Sequence, residues 1–134
     1  MTQFAHHTVS SVLAIHEEVL AAHGGLAGVK DLGLLESAIA APQASFGGQP
    51  LVQDPLEIAA AYLFHLCQNH PYNDGNKRTA LATCLVFLAQ NNLLDPTSHL
   101  NLELWEALVL DVAASRIGKA ELTDRLKNLI TDSP

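Results

Sequence analysis

Apolar residues recur three and four positions apart along most of this chain, and that spacing predicts helices almost throughout. The first runs from Val9 to His23, with Val12, Leu13, Ile15, Val19 and Leu20 inward and Gly24-Gly25 as its stop. A second spans Asp31 to Ala41: Asp31 can cap it, Leu34, Leu35, Ala38 and Ile39 repeat on one face, and Pro42 ends it. Residues 43 to 53 are rich in turn formers, among them Gly47, Gly48 and Pro50, and read as a mobile flap. Asp54-Pro55-Leu56-Glu57 then gives a start signal, with an acceptor at the N-cap, proline at the first helical position and glutamate at the third. The run Ile58 to Phe64 that follows is apolar nearly all round, which marks a central buried helix.

A polar turn, His70 to Thr79, separates this helix from a second central one that carries Leu81, Cys84, Leu85, Phe87 and Leu88 and stops at Asn91-Asn92. Leu102 to Ala114 and Lys119 to Ile130 supply the last two helices, and no repeat, linker or low-complexity tract interrupts the pattern. The expectation is an all-α, compact single-domain helical bundle over residues 1–134, with the polar turn between its two most buried helices.

Composition narrows the class. A chain of 134 residues that is 49% hydrophobic can bury a sizeable core as one domain. Its net charge of −7 argues against a general nucleic-acid-binding surface. Only seven lysines and arginines are present, and two of them, Lys77 and Arg78, are adjacent in the turn. Cys67 and Cys84 lie in apolar helical runs without CxxC spacing and read as buried reduced thiols. The N-terminus lacks the charged and apolar regions of a signal peptide, and the longest apolar runs, of about a dozen residues, are too short to span a bilayer. The chain reads as cytoplasmic, without direct nucleic-acid or membrane partners.

The turn itself carries the chemistry. His70-Pro71-Tyr72-Asn73-Asp74-Gly75-Asn76-Lys77-Arg78-Thr79 puts a histidine, a carboxylate, a glycine, an amide and two cations just ahead of an apolar helix. A helix N-terminus presents unpaired N–H groups and a partial positive charge, so it attracts phosphate. Lys77 and Arg78 add counter-charge, and Gly75 lets the backbone come close. Asn76 adds an amide donor, and Asp74 can hold Mg²⁺ beside phosphate oxygens. Histidine side chains titrate near neutrality, so His70 is the candidate proton acceptor. Charge neutralisation, a metal and a base are what phosphoryl or nucleotidyl transfer needs.

Plainer readings exist for each residue. Asn-Asp-Gly is a common helix–helix turn, His70 could be a cap, and Lys77-Arg78 a solvated first turn. A calcium loop fails, because placing Gly75 sixth puts His70 first and Leu81 twelfth, where oxygen ligands are required. His16, His23 and His65 fall on predicted helices, and His6, His7 and His99 near ends or loops; each reads as a surface or capping histidine. None has zinc spacing, and His16-Glu17-Glu18 is not HExxH.

The string His-Pro-Tyr-x-Asp-Gly-Asn-Lys-Arg-Thr closely resembles the signature of the Fic/Doc (Fido) superfamily, and most closely its death-on-curing (Doc) toxin branch. Gly24-Gly25, Gly28, Leu35-Glu36-Ser37-Ala38, Pro42 and Phe46-Gly47-Gly48 resemble the N-terminal half of that branch, so the likeness spans roughly residues 10 to 90. It implies a single Fido (Doc-like) domain in which His70 is the base, Asp74 the metal ligand, and Gly75, Asn76, Lys77 and Arg78 the phosphate-binding residues. Tyr72 and Asn73 would support the loop, with the Tyr72 ring packed inward.

Two departures from the adenylylating Fic pattern bear on the reaction. That pattern has a second glycine where this chain has Lys77, and a trailing arginine where it has Leu81. A lysine fills the space in which an α-phosphate would settle against the backbone, and without the second arginine the AMP-transfer orientation is less firmly clamped. Doc-like proteins share both departures. The resemblance therefore implies ATP and Mg²⁺ as cofactors, and transfer of the γ-phosphate to a hydroxyl of elongation factor Tu, a translation factor. It also implies neutralisation by an antitoxin encoded separately, its C-terminal segment docked in a groove near the site lined by apolar side chains of the first helices; the self-inhibitory Ser/Thr-x-x-x-Glu-Gly/Asn string is absent. An AMP transferase and a catalytically silent Fido-fold binding protein remain the alternatives, although a silent adaptor would be expected to have lost His70 or Asp74.

Overall fold

Six helices form among the described residues, close to where the periodicity puts them. The computed structural model describes residues 4–95, 97 and 99–131. It has α1 at Val9–His23, α2 at Leu32–Ala40, α3 at Pro55–Asn69, α4 at Asn76–Gln90, α5 at Leu102–Ala113 and α6 at Lys119–Thr131. Local chemistry sets the ends. Thr8 and Ser11 form a reciprocal capping box at α1, which stops at Gly24 with φ 76°. Asp31 accepts the Leu34 N–H at 3.0 Å and Asp54 the Leu56 N–H at 2.9 Å, each satisfying an orphan donor of a first turn. Pro42 sits in a single 3₁₀ turn, Ala41–Gln43, just past α2.

Residues 43 to 53 contain an exposed hairpin that helical periodicity did not show. β1 (Ser45–Phe46) pairs antiparallel with β2 (Gln49–Pro50) across Gly47-Gly48, both at positive φ. The Phe46 ring at its tip is 82% exposed.

Helix α3 lies at the centre, packed against α2, α4, α5 and α6. Its Ile58, Ala59, Ala60, Tyr62, Leu63 and Leu66 are buried, and Phe87, Trp105, Leu108, Leu122 and Leu126 close the core around it. Truncating one of these large side chains to alanine would cost about 2–5 kcal/mol. Cys67 and Cys84 are free and buried in this core; burial pushes the Cys67 thiol up to about 12 and the Cys84 thiol higher still. No helix among the described residues is long and apolar enough to cross a membrane.

Two sequence expectations need correcting. Leu34 is 39% exposed, because the buried stripe of α2 is Leu35, Ala38 and Ile39 and Leu34 falls at its edge. His7 and His16 are buried, at 3% and 4% exposure, not surface or capping residues. The His7 ring lies 3.0 Å from the Thr83 carbonyl oxygen through Nε2 and 3.0 Å from Ser11 Oγ through Nδ1, and its backbone N–H donates to Tyr62 Oη. These bonds offset the cost of burying a polar ring and strap the segment before α1 onto α3 and α4.

Candidate active site

The signature crosses the end of α3, a tight loop and the first turn of α4. His70 is the C-cap of α3, left-handed at φ 50° and ψ 54°. Pro71 after it disfavours the right-handed helical region, so the chain turns there. The Tyr72 ring is 1% exposed, as the resemblance implied, and burial pushes its hydroxyl up to about 12. Asn76 locks this residue from both sides: its Oδ1 accepts the Tyr72 N–H and its Nδ2 donates to the Tyr72 carbonyl, each at 2.9 Å. The Asn76 side chain is thus spent on the loop, and only its backbone N–H faces the role of anion donor. Asn73 ties the same loop to the segment after α1: its N–H donates to the Gly28 carbonyl and its Nδ2 to the Ala27 carbonyl. Lys30 and Asp31 N–H both donate to the Pro71 carbonyl, and Val29 bridges Tyr72.

Asp74 is held at three points. Its Oδ2 accepts the Leu26 N–H at 3.0 Å and its Oδ1 the Gly75 N–H at 2.9 Å. Those two amides, Leu26 first, hold its carboxyl below the usual aspartate range, and the Arg78 charge adds to them. Its backbone carbonyl accepts from His16 Nε2 at 2.8 Å. The His16 ring lies flat on the Tyr72 ring, centroids 3.7 Å apart at 8°. His16 is the site residue that sequence reasoning missed. The signal was there: Val12, His16 and Val19 follow one another at helical spacing on the inward stripe of α1, and a polar ring on such a stripe needs a partner.

A cleft of about 590 Å³ opens over this loop. His70, Asp74, Lys77, Arg78 and, from α5, Glu106 are its charged and titratable lining, and Leu81, Leu85, Leu102, Val109 and Leu110 give it an apolar part. The first hydrogen bond of α4 runs from the Thr79 N–H to the Gly75 carbonyl, so the amides of Asn76, Lys77 and Arg78 precede it with no helical carbonyl to reach. The Gly75 amide, expected to be a fourth anion donor, is already taken by Asp74. Lys77 and Arg78 are exposed, and neither makes an ion pair or side-chain hydrogen bond among the described residues. Three amides and two unpaired cations in the same cleft as the Asp74 carboxylate are groups that suit an oligophosphate carrying a divalent cation.

The Asp74 carboxylate is a hard oxygen donor of the kind Mg²⁺ takes. No group of three or more His, Cys, Asp or Glu among the described residues could hold a metal unaided. As a single carboxylate, Asp74 could serve only a cation that takes its remaining ligands from water or from a bound phosphate, as Mg²⁺ commonly does.

The chain is similar to known proteins over much of its length. The family model described as the Fic/DOC family matches residues 6–88, from the strap before α1 through nearly all of α4. The chain is 32% identical over 124 residues to the protein named Protein kinase doc of Escherichia phage P1, covering 92% of this chain and 94% of that one. It is 44% identical over 72 residues to Toxin Doc of Mycolicibacterium smegmatis (strain ATCC 700084 / mc(2)155), covering 54% of this chain and 55% of that one. The matched span holds the signature turn, the Gly24–Lys30 segment that grips it and the helix that carries His16; by that span, and by its likeness to the phage protein over nearly full length, this chain belongs to the Fic/DOC family.

Proposed function

We propose that this chain is a Doc-type toxin: a protein phosphotransferase that moves the γ-phosphate of ATP to a hydroxyl of a translation factor resembling elongation factor Tu, and so blocks translation in the cytoplasm. The observation that carries this reading is the pair Lys77 and Arg78, unpaired beside the free amides of α4 and the clamped Asp74 carboxylate. The names of the relatives, Protein kinase doc and Toxin Doc, support the toxin and kinase parts. An antitoxin supplied in trans would complete the system; the apolar lining of the cleft that suits a segment of it comes chiefly from α4 and α5, with Leu102 and Leu110 about half exposed, rather than from the first helices as expected from the sequence.

In this mechanism the α4 amides and Arg78 bind phosphate oxygens, Arg78 through its planar fork, while Lys77 supplies a point charge. Mg²⁺, held by Asp74, would neutralise phosphate charge. His70, at the cleft mouth, accepts the proton of the target hydroxyl as its oxygen forms a bond to the γ-phosphorus. The bond between that phosphorus and the β–γ bridging oxygen breaks, and ADP leaves with the electron pair. The protein's contribution is position and charge, since two well-packed helices hold the loop before substrate arrives.

The test is incubation with Mg²⁺, a cell extract and ATP labelled at either the α- or the γ-phosphate, with His70→Ala beside the unaltered protein. γ-Label moving to one protein, and abolished in His70→Ala, supports the proposal. Transfer of α-label instead means AMP transfer, and no transfer of either label, with bound nucleotide, means a silent binding protein.

A further inference from the structure

We infer that His16 is a positioning residue: its bond to the Asp74 carbonyl sets the peptide plane that aims the Asp74 carboxylate into the cleft. A carbonyl oxygen only accepts, so His16 Nε2 carries the proton in this 2.8 Å contact. In a planar trans peptide the carbonyl and the following N–H point in opposite directions. With the Asp74 carbonyl turned inward to His16, the Gly75 N–H points outward, where it holds Asp74 Oδ1 at 2.9 Å. One bond on the buried side thus fixes a second on the cleft side.

The ring itself is fixed by what surrounds it. It stacks on Tyr72, and Tyr72 is pinned by both polar atoms of the Asn76 amide. It also underlies Gly75, where an added Cβ would lie 3.6 Å from His16 Nε2. Helix α1 thereby reaches through one imidazole to the residue proposed to hold the metal. The functional consequence rests on the reading that Asp74 and the α4 amides bind a nucleotide phosphate with Mg²⁺; the positioning itself does not.

Three variants test it. His16→Phe keeps a ring for Tyr72 but has no donor, His16→Asn has a donor that stops short of the carbonyl, and His16→Gln places an N–H at about the reach of Nε2. Amide hydrogen exchange at Gly75 is read by NMR, with the buried α3 amides as the control for folding, and Mg-ADP affinity by calorimetry. Loss of the bond should speed Gly75 exchange about tenfold or more in His16→Phe and His16→Asn, with His16→Gln restoring most of the protection. Mg-ADP affinity should fall and recover in parallel. Unchanged Gly75 exchange in either folded loss variant overturns the inference. Faster exchange with unaltered Mg-ADP affinity upholds the positioning role and removes the phosphate-cradle reading of the proposed function.

Discussion

The Asp74 carboxylate and the Leu26 backbone N–H lie 3.0 Å apart although 48 residues separate them along the chain. The segment after α1 is therefore the second half of the site. Its Leu26 N–H does most to hold the Asp74 carboxyl below the usual range, and the segment brings Gly25 against the same carboxylate, where an added Cβ would stand 2.7 Å from Oδ2. Because the folded-state pKa is depressed, this contact contributes stability above the ordinary aspartate range, and the contribution is lost as pH falls through the lowered value. Asp74 stays ionised at neutral pH.

Gly25→Ala should therefore disable the site, and Gly24→Ala should not. Both glycines have positive φ, 126° and 76°, so alanine at either costs about 1–3 kcal/mol of backbone strain. Only at Gly25 does the new methyl strike Asp74; nothing lies within 4 Å of a Cβ at Gly24. Transfer activity at equal folded fraction should fall at least about tenfold in Gly25→Ala relative to Gly24→Ala, the size of losing one charge-assisted contact. Equal activities would detach the Leu26–Asp74 contact from function.

Asn76→Ala should destabilise the protein through Tyr72 rather than through a ligand. The buried Tyr72 N–H and carbonyl would each lose a 2.9 Å partner, and two such groups left unpaired cost about 2–6 kcal/mol. Denaturant unfolding without nucleotide measures this directly. Asn76→Asp keeps the acceptor for the Tyr72 N–H but loses the donor, so it should fall between alanine and the unaltered protein. A loss well under 1 kcal/mol in Asn76→Ala would mean that the loop is held by its bonds to Gly28 and Lys30 instead.

The helices were legible because they rest on local signals: Asp31 and Asp54 stand at caps, Pro55 at a first position, and the inward stripes repeat with helical period. The polar cleft mouth was legible because its residues are contiguous in the chain. What stayed hidden was long-range. Nothing in the order of residues says that His16 faces a carbonyl 58 positions away, or that Leu26 reaches Asp74. The likeness of Gly24, Gly25 and Gly28 to the family pattern flagged this segment without giving its reason, which the Gly25 and Gly28 approaches to Asp74 and Asn73 supply. The partners of the Asn76 side chain stayed hidden for a related cause. An amide on a phosphate-binding string reads as a ligand donor, yet its partners lie in the backbone four residues earlier.

Stability should decline as the solution is acidified from about pH 7.5 to about 5, in part through His7. Burial lowers the pKa of His7 below its model-peptide value of 6.5, and His6 and His65 are shifted the same way. The unfolded chain then binds protons that the folded one refuses. The His7 contribution is complete above 6.5 and is lost as pH falls toward the folded value, at up to about 1.4 kcal/mol per pH unit. His7→Gln, which can still donate to Thr83, should flatten that slope in a pH series of denaturant unfolding curves. An unaltered slope would assign the acid sensitivity to the other histidines.

The sharpest test of the reaction itself is Lys77→Gly. Lys77 and Arg78 are neighbours on the first turn of α4, and both line the cleft beside the free amides. Removing the Lys77 side chain therefore changes the space available to a phosphate there as well as the charge. Glycine costs about 1 kcal/mol of helix propensity at most, so the variant should stay folded. If lysine bulk and charge set the orientation of the nucleotide, γ-phosphate transfer should drop at least about tenfold, more than the loss of one exposed charge would give. AMP transfer is not expected from the single change, because Leu81 stands where the adenylylating pattern has its second arginine. Leu81 lines the same cleft, so arginine at that position points into the site, and the double variant Lys77→Gly/Leu81→Arg is where transfer of α-label should first appear. Labelled ATP distinguishes the outcomes in one assay. Unchanged γ-phosphate transfer in Lys77→Gly would sink the orientation argument and leave the phosphotransferase reading on the Fic/DOC relationship alone.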